Sequence, residues 1–372
     1  MKILLLGGTG AIGKYLTELL VDKGHDLYVT SRKEHSSKEI HYIKGNAHDI
    51  EFIKGVFDSN GSFDCIVDFM SYQTKEFSER SKLLINSCRQ YVFISTARVY
   101  SNGKGKITEE TPRLLDVSTD RTFIRTDDYS ITKAKQENLI KKHSPQNWTI
   151  IRPYITYGDN RFELCVHSKE DWLYRAINGR SIVFPNDIGE QLTTMTWGGD
   201  VAFTIESLLG KEECLGQIYN ITNNKSYTWN EVLSVYCDTL QNNGFQPQVV
   251  RVKKDVLTHS HNGRYQIMYD RLYDRSFDTQ KIEKYVDVKT FRDIKDQLAE
   301  CLTSFLKEPK FNSINWMLQG YYDRVSKERE SQLERCNGFT NKIKYLIGRY
   351  TPGYIIIEEM KSMLFPLFLK TR

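Results

Sequence analysis

The sequence has no long apolar stretch and few cysteines, and both absences narrow the roles open to it. No run of about 18 apolar residues occurs, so we expect no membrane-spanning helix. The seven cysteines are scattered and never spaced C-x-x-C, which argues against a zinc site. An odd number of such thiols favours a reducing compartment. Met1 and Lys2 lead straight into an apolar run, so we expect no signal peptide and predict a cytoplasmic protein.

The chain also lacks a strong charge of either sign. Its formal net charge is only +5 over 372 residues, so the overall composition does not favour a nucleic-acid partner. The length predicts about two domains and is ample for a sizeable hydrophobic core. No motif for a metal site is present, and none is predicted.

The most informative stretch is the N-terminal MKILLLGGTGAIG. Residues 3–6 have the pattern of a buried parallel strand, and residues 14–23 have that of a helix. Gly7, Gly10 and Gly13 between them are spaced G-x-x-G-x-x-G. The first would allow a sharp turn, the second would leave room for a pyrophosphate, and the third would let helix and strand pack closely. Backbone N–H groups and the helix dipole would then face the phosphates.

This arrangement of strand, glycine turn and helix predicts a dinucleotide-binding loop, with an ordinary tight turn as the alternative. The residues predicted to contact the cofactor here are Gly7, Thr9, Gly10, Ala11, Ile12 and Gly13.

Strand and helix patterns alternate through the first half of the chain. Further strands are predicted at residues 26–30, 41–44, 65–69, 91–95 and 148–152, and helices at 50–57, 77–88 and 129–142. Such alternation predicts right-handed βαβ units and a doubly wound parallel sheet of the α/β class.

After Arg152 the alternation loosens into a smaller α/β region. Its predicted helices are residues 170–178, 196–209, 229–240 and 294–306, and its predicted strand is 249–252. Thr228 and Glu231 have the spacing of a capping box. We expect this region to bind the substrate at the carboxyl ends of the sheet strands. The predicted domains are 1–158 for the dinucleotide, with its sheet completed by later segments, 159–308 for the substrate, and 309–372 as a helical, basic extension.

The last part of the chain differs in composition from the rest. Residues 341–372 hold six basic side chains against two acidic ones, and they are rich in apolar and aromatic residues. This composition is typical of an amphipathic helix that contacts a membrane surface or a partner. The alternative is a tail that packs on its own domain or on a second copy of the chain.

The end of the second predicted strand bears on the type of dinucleotide. A carboxylate there favours NAD by accepting hydrogen bonds from the ribose 2′-hydroxyl, whereas a basic residue accommodates the 2′-phosphate of NADP. This strand ends in Ser31, Arg32 and Lys33, and no carboxylate occurs before Glu34. We therefore predict NADP(H) as the preferred cofactor, bound by Arg32 and Ser31, with NAD as the alternative. Further predicted cofactor contacts are Asn46, Lys133 and Tyr154.

A candidate catalytic set lies in the same half of the chain. Tyr129 and Lys133 form Y-x-x-x-K, which places both side chains on one face of a helix. A nearby ammonium favours the phenolate and would make Tyr129 an acid/base for an alcohol hydroxyl. Ser95 and Thr96 lie at the end of the strand that precedes this helix, and a hydroxyl there would hold the same substrate oxygen. The alternative for the Y-x-x-x-K pair is a solvated helix face.

These motifs resemble those of the extended short-chain dehydrogenase/reductases, within them the NAD-dependent epimerase/dehydratase family that acts on nucleotide sugars. The resemblance covers residues 1 to about 308 and includes RPYITYG at residues 152–158. It implies a Rossmann domain, a small C-terminal substrate domain and a homodimer. It also implies hydride transfer between a sugar carbon and the nicotinamide, with Thr96, Tyr129 and Lys133 as the catalytic residues.

Several positions depart from the family pattern. Ala97 and Arg98 stand where the 4,6-dehydratases carry Asp-Glu, which argues against that reaction. Thr193 stands where the family has an arginine for the diphosphate. Because a diphosphate needs cationic partners, other arginines are predicted to bind it. The candidate substrate residues are Arg180, Arg271 and Arg275.

Three functions follow from these observations. The first is a nucleotide-sugar epimerase, and the second is an NADPH-dependent reductase of a 4-keto sugar nucleotide, which Arg32 favours. The third is an RNA-binding or partner-binding protein on the same fold, since Trp172, Gly179-Arg180 and residues 200–202 are similar to those of the chloroplast stem-loop-binding proteins. The complete Thr96, Tyr129 and Lys133 set argues for the enzymes, and nucleic acid is not the expected partner.

Overall fold

The computed structural model describes residues 1–259 and 261–368, with side chains described for 1–259 and 263–360. Its contacts divide the chain into two units. The first unit comprises Met1–Gly158, Thr194–Lys225 and Ser276–Arg292. The second unit comprises Asp159–Thr193, Ser226–Arg275 and Asp293–Arg372.

The strands and α-helices are numbered in chain order. The strands are β1 (Lys2–Leu6), β2 (Asp26–Ser31), β3 (Ile40–Lys44), β4 (Phe63–Asp68), β5 (Cys88–Ile94), β6 (Trp148–Pro153), β7 (Ile155–Tyr157), β8 (Ile182–Pro185), β9 (Leu192–Thr193), β10 (Met195–Trp197), β11 (Gln217–Ile221), β12 (Tyr227–Thr228) and β13 (Val249–Val252). The helices are α1 (Gly13–Asp22), α2 (Ile50–Asn60), α3 (Thr74–Asn86), α4 (Leu114–Val117), α5 (Arg121–Arg125), α6 (Tyr129–Lys141), α7 (Leu173–Ile177), α8 (Gly198–Leu208), α9 (Trp229–Asn242), α10 (Asp255–Thr258), α11 (His261–Gln266), α12 (Ile294–Lys307), α13 (Trp316–Val325), α14 (Phe339–Tyr350) and α15 (Gly353–Phe368).

The first unit is built on a seven-stranded sheet with the order β11-β6-β5-β4-β1-β2-β3. Every neighbouring pair in it is parallel. The chain starts at the centre with β1, runs outward to β3, and then crosses β1 to continue through β4 toward β11. The predicted doubly wound parallel α/β fold is confirmed.

Both faces of this sheet are buried, which explains why β1 is apolar throughout. Ile3 and Leu5 pack in one core cluster that includes Leu16 of α1, whereas Leu4 and Leu6 pack in a second cluster on other elements. A strand covered on two sides has no solvated face and so shows a continuous apolar run rather than alternation. Burying each such side chain contributes about 1.5–3 kcal/mol.

The second unit contains two small two-stranded sheets and several helices. β8 pairs with β13 in parallel, and β9 pairs with β12 in antiparallel. The predicted capping box at the start of α9 is confirmed: Thr228 Oγ1 accepts from Glu231 N at 3.1 Å, and Glu231 Oε2 accepts from Thr228 N at 2.9 Å.

Helices α13 and α14 of the second unit cross at two glycines. A Cβ on Gly320 would lie 2.2 Å from the Tyr345 carbonyl oxygen, and one on Gly348 would lie 2.0 Å from the Met317 carbonyl oxygen. Only glycine therefore allows so close an approach of the two backbones. One face of α14 thus packs within its own unit, as the alternative interpretation of the basic tail expects.

Candidate active site

The glycine loop between β1 and α1 has space at one glycine and close packing at another. Gly7 has φ +72°, which favours glycine and turns the chain after β1. A Cβ on Gly13 would lie 2.5 Å from the Gly8 carbonyl oxygen, so α1 and the loop pack too closely for a side chain. A Cβ on Gly10 would meet no atom within 4 Å. The loop is therefore open at Gly10 and tight at Gly13, as phosphate binding requires.

The N-terminus of α1 suits an anion. Its N-cap residue is Ile12, which has no side chain able to cap the helix, and its first turn has no acidic residue. Thr9 and Gly10 are exposed and Ala11 is half-buried, whereas Ile12 is buried. The N–H groups and the positive end of the helix dipole are thus available to a phosphate. These residues fit the diphosphate of a dinucleotide.

The end of β2 presents the predicted ribose contacts. Arg32 is exposed and has no ion pair or hydrogen bond with a described residue. Ser31 Oγ accepts from Lys33 N at 3.1 Å and lies 3.0 Å from His35 Nε2. The first carboxylate after the strand, Glu34, pairs with Lys44 at 2.9 Å.

The two remaining predicted cofactor residues outside the helices lie in the same unit. Asn46 is exposed after β3, where its Oδ1 accepts from His48 N at 3.2 Å. Tyr154 is buried after β6, and its ring lies 5.3 Å from that of Phe277.

The three predicted catalytic residues lie on two adjoining elements. Thr96 follows β5 and is buried, and its Oγ1 accepts from Arg98 N at 3.2 Å. Tyr129 is the first residue of α6 and is 41 % exposed. Lys133 lies one turn further along α6 and is buried. Two hydrogen bonds tie α6 to the end of β5: Lys133 Nζ donates to Ile94 O at 2.8 Å, and Ser95 Oγ donates to Glu137 Oε1 at 2.7 Å.

The environment of Lys133 explains how an ammonium is kept there. Its Nζ also donates to Met70 O at 3.3 Å and lies 4.4 Å from the centre of the Phe93 ring. Burial lowers the pKa of Lys133 to about 8, and the negative charges of Asp68 and Glu137 oppose that shift. Lys133 is therefore still mostly protonated at neutral pH.

A buried carboxylate, Glu137, holds α6 in place one turn beyond Lys133. It accepts from Arg152 at 2.6 and 2.8 Å and from Arg113 at 3.0 Å. Burial alone would raise the pKa of Glu137, but the hydrogen bonds and charge of Arg152 hold it below its usual range. Sequence analysis missed this residue, although Tyr129, Lys133 and Glu137 follow one another at intervals of four along one helix face.

Sequence analysis also missed a cation beside the phenol. Arg98 has its guanidinium carbon 5.6 Å from the centre of the Tyr129 ring and lies 3.9 Å from Asp128. Its position in the turn after Thr96 was noted only as a departure from the dehydratase motif. The positive charge of Arg98 would favour a phenolate at Tyr129, and the negative charge of Asp128 would oppose it in part.

The three candidate substrate arginines are buried in the second unit, where the chain itself supplies partners. Arg180 donates to Glu330 O at 3.1 Å, Arg271 donates to Cys165 O at 2.8 Å, and Arg275 donates to Tyr269 O at 2.7 Å. A diphosphate would have to compete with such contacts, and substrate binding by these arginines stays a prediction.

No helix among the described residues has the length and apolar character needed to cross a bilayer. No group of three or more His, Cys, Asp or Glu side chains among them is arranged to hold a metal ion.

Comparison with known proteins decides the family. The model of the NAD dependent epimerase/dehydratase family matches residues 3–222. The chain belongs to this family. The matched range contains the glycine loop, Thr96, Tyr129 and Lys133.

Among curated relatives, the family member described here is 27 % identical over 246 residues to the chloroplast stem-loop binding protein of 41 kDa b of Arabidopsis thaliana, covering 61 % of this chain and 60 % of that protein. It is 29 % identical over 133 residues to a sterol-4-alpha-carboxylate 3-dehydrogenase of Dictyostelium discoideum, covering 30 % of this chain and 40 % of the relative. The chain therefore spans about 60 % or less of the length of these relatives.

Solved structures of the same fold include nucleotide-sugar enzymes. The dTDP-glucose 4,6-dehydratase of Bacillus anthracis, solved with NAD, has a TM-score of 0.63 at 19 % identity, covering 83 % of this chain and 97 % of that one. The UDP-glucose 4-epimerase of Bifidobacterium longum, solved with NAD+ and UDP, has a TM-score of 0.60 at 20 % identity, covering 83 % and 99 %. At this identity the likeness establishes the fold.

Proposed function

We propose that this family member is an NAD(P)-dependent nucleotide-sugar oxidoreductase of the epimerase type. A bound nicotinamide dinucleotide would supply the hydride acceptor and donor. Tyr129 takes the proton from a sugar hydroxyl during oxidation and returns it during reduction. Thr96 holds the same oxygen, and Lys133 favours the phenolate form of Tyr129. Family membership and the nucleotide-sugar enzymes among the solved structures of this fold support this choice of substrate class.

The attachment of α6 to the end of β5 is the observation that carries the proposal. The bonds from Lys133 to Ile94 and from Ser95 to Glu137 fix the helix that begins at Tyr129 against the strand end that leads to Thr96. A catalytic hydroxyl and a catalytic phenol act on one oxygen only if their elements keep a fixed spacing. A solvated helix face would not need two buried anchors of this kind.

The Tyr129→Phe variant tests the proposal. The purified protein is incubated with UDP- and dTDP-sugars and NAD or NADP, and epimers are separated by chromatography. We expect activity to fall by at least about a hundredfold, because the variant has no acid/base, while cofactor affinity stays unchanged. Tyr273→Phe is the matched control, since Tyr273 is 40 % exposed against 41 % for Tyr129. Full turnover by Tyr129→Phe would refute the mechanism.

We propose NADP(H) as the preferred cofactor. Arg32 is exposed at the end of β2 with no described partner, and Glu34 is engaged by Lys44. A guanidinium matches a phosphate better than a hydroxyl. The neighbours named above were solved with NAD, so NAD is the alternative. If NADPH is consumed in a fixed ratio to a 4-keto sugar nucleotide, the enzyme is the reductase rather than the epimerase.

A non-enzymatic role is a second candidate, favoured by the relationship to the chloroplast stem-loop binding protein. RNA affinity that falls steeply with salt, together with no turnover of any sugar nucleotide, would favour it over the enzyme. A homodimer formed through α3 and α6, as the family resemblance implies, stays a prediction that light scattering tests.

A further inference from the structure

Exposed apolar side chains are concentrated near the end of the described chain. Of the eleven large apolar residues that are exposed among the described side chains, six lie between residues 339 and 360. This segment lies outside residues 3–222, which the family model matches. The chemistry proposed above therefore does not account for it.

Four of the six form a continuous stripe on α14. They recur at intervals of four, three and four residues, which places them on one side of a helix. The stripe consists of Phe339 (79 % exposed), Ile343 (40 %), Leu346 (36 %) and Tyr350 (66 %). Soluble surfaces carry single apolar residues commonly, but a continuous row marks a binding surface.

The orientation of α14 is fixed by its other side. Tyr345 is fully buried, and its hydroxyl donates to Asp323 Oδ2 at 2.8 Å. Arg349 donates to Glu330 O at 2.6 Å, and Gly348 lies against the backbone of α13. Because these contacts hold the helix on that side, it is not free to rotate and bury the stripe in its own unit.

Positive charge borders the stripe. Lys342 and Lys344 are exposed on the same helix, and neither forms an ion pair with a described residue. Residues 339–350 contain no acidic side chain. A symmetric pairing of two copies through this face would bring the same lysines toward each other, which repulsion disfavours. Anionic headgroups would instead match the cations.

We propose that the stripe on α14 docks the protein on an anionic lipid surface. The helix would lie in the plane of the interface, with Phe339, Ile343, Leu346 and Tyr350 in the acyl boundary and the two lysines at the headgroups. At 12 residues the helix is about 18 Å long, which suits contact along the surface rather than insertion across it.

Flotation of the full-length protein with vesicles tests the proposal. We expect binding to phosphatidylcholine vesicles that contain phosphatidylglycerol, and weaker binding to phosphatidylcholine alone. The Phe339→Ser/Tyr350→Ser variant should bind at least about tenfold less tightly, because two exposed rings no longer enter the interface. Lys342→Gln/Lys344→Gln should reduce binding only to the anionic vesicles.

Matched controls distinguish vesicle binding through the stripe from non-specific binding by any exposed ring and from an effect of misfolding. Phe203→Ser removes another exposed ring, 47 % exposed on α8, and should leave vesicle binding unchanged. Thermal denaturation should be the same for all variants, because only exposed side chains are altered. No binding to anionic vesicles, or equal binding by the stripe variant, would overturn the proposal. A change of oligomeric state in the stripe variant without any effect on vesicles would assign the surface to a second copy and overturn it as well.

Discussion

Lys133 is buried, yet the proposed chemistry depends on its charge. Carbonyl oxygens of Met70 and Ile94 accept from its ammonium, and Asp68 and Glu137 supply negative charge nearby. The effect of burial is larger than that of these negative charges, so the pKa of Lys133 is lowered to about 8. Below this pH Lys133 is positive and would, in the proposed mechanism, favour the phenolate of Tyr129. Above this pH the neutral amine would no longer do so.

The same shift predicts a pH dependence of stability. The pKa of Lys133 is about 8 in the folded protein and about 10.4 in the unfolded chain, so the unfolded state binds more protons between these values. Stability should therefore rise with pH in this window. Buried thiols and phenols make stability fall over the same pH range. The effect of Lys133 is therefore measured as the free energy of unfolding of the wild-type protein minus that of Lys133→Met, from urea denaturation. We expect the difference to grow by on the order of 3 kcal/mol from pH 8 to 10.4.

Lys142→Met, at the exposed end of α6, is the control for that measurement and should show no such growth. A difference between the wild-type protein and Lys133→Met that does not vary with pH would show that Lys133 is not desolvated.

Arg32 is the residue proposed to distinguish NADP from NAD. Arg32→Asp replaces a cation by an acceptor for the ribose 2′-hydroxyl, so we expect the ratio of NADP to NAD affinity to fall by at least about tenfold. Calorimetry with both cofactors measures it. Lys33→Asp makes the same charge change one residue away and should alter the ratio far less. An unchanged ratio in Arg32→Asp would show that Arg32 does not contact the 2′-phosphate.

At the residue scale, sequence predicts groups that belong to a spaced motif. Tyr129 and Lys133 are predicted from their interval of four, whereas Thr96 rather than Ser95 is predicted from the family resemblance. Arg98, Asp68 and Glu137 are not predicted from the sequence, because their contacts are with residues to which no local motif connects them. Glu137, for example, is defined by Arg113 and Arg152, which no local spacing connects to it.

At the element scale, the glycine loop combines close packing at Gly13 with open space at Gly10, and one substitution tests each feature. A Cβ at Gly13 would strike the backbone of Gly8, whereas a Cβ at Gly10 would enter open space. Gly10 is also absent from the glycines with positive φ, so alanine suits its backbone. Gly13 is therefore expected to matter for folding, and Gly10 for the proposed binding of the dinucleotide.

We therefore expect opposite results from two alanine variants. Gly10→Ala should change the free energy of unfolding by less than about 0.5 kcal/mol but weaken dinucleotide binding at least about tenfold. Gly13→Ala should lose about 1–3 kcal/mol of stability, because backbone atoms must shift. Chemical denaturation and calorimetry measure the two quantities. Normal cofactor affinity in Gly10→Ala would mean that no phosphate passes over this residue.

The elements that sequence predicts well are those with a strong local pattern. Strands β1 to β6 are predicted to within a few residues, because most of them contain a continuous apolar run, whereas β7 and β8 are not predicted. The strand β11 is not predicted, since QIYNI has neither a continuous apolar run nor a strict alternation, and the strand lies at the sheet edge. The predicted helix at residues 196–209 begins instead with the strand β10, which becomes visible only through its pairing with β7.

At the scale of the whole molecule, the C-terminal extension is bonded into the second unit by a buried acid. Asp323 of α13 accepts from Arg175 at 2.8 Å, from Tyr345 at 2.8 Å and from Arg349 at 3.2 Å. These partners come from α7 and α14, so one carboxylate joins residues far apart in the chain. The sequence shows this only as three unrelated charges.

Removing this acid should destabilise the second unit strongly. Asp323→Ala leaves buried guanidinium groups without their counter-ion, for which we expect a loss of about 3–5 kcal/mol. Urea denaturation followed by tryptophan fluorescence measures it. Asp255→Ala, whose carboxylate is 73 % exposed, should change stability by less than about 0.5 kcal/mol. Equal stability of the two variants would contradict the role assigned to Asp323.

A crystal structure of the protein with a nicotinamide dinucleotide and a UDP-sugar would test the proposed chemistry most directly. We expect the diphosphate at the backbone N–H groups of residues 9–13, over Gly10. We also expect a sugar hydroxyl within hydrogen-bond distance of both Tyr129 Oη and Thr96 Oγ1. A dinucleotide bound elsewhere, or a Tyr129 side chain directed away from the sugar, would contradict it.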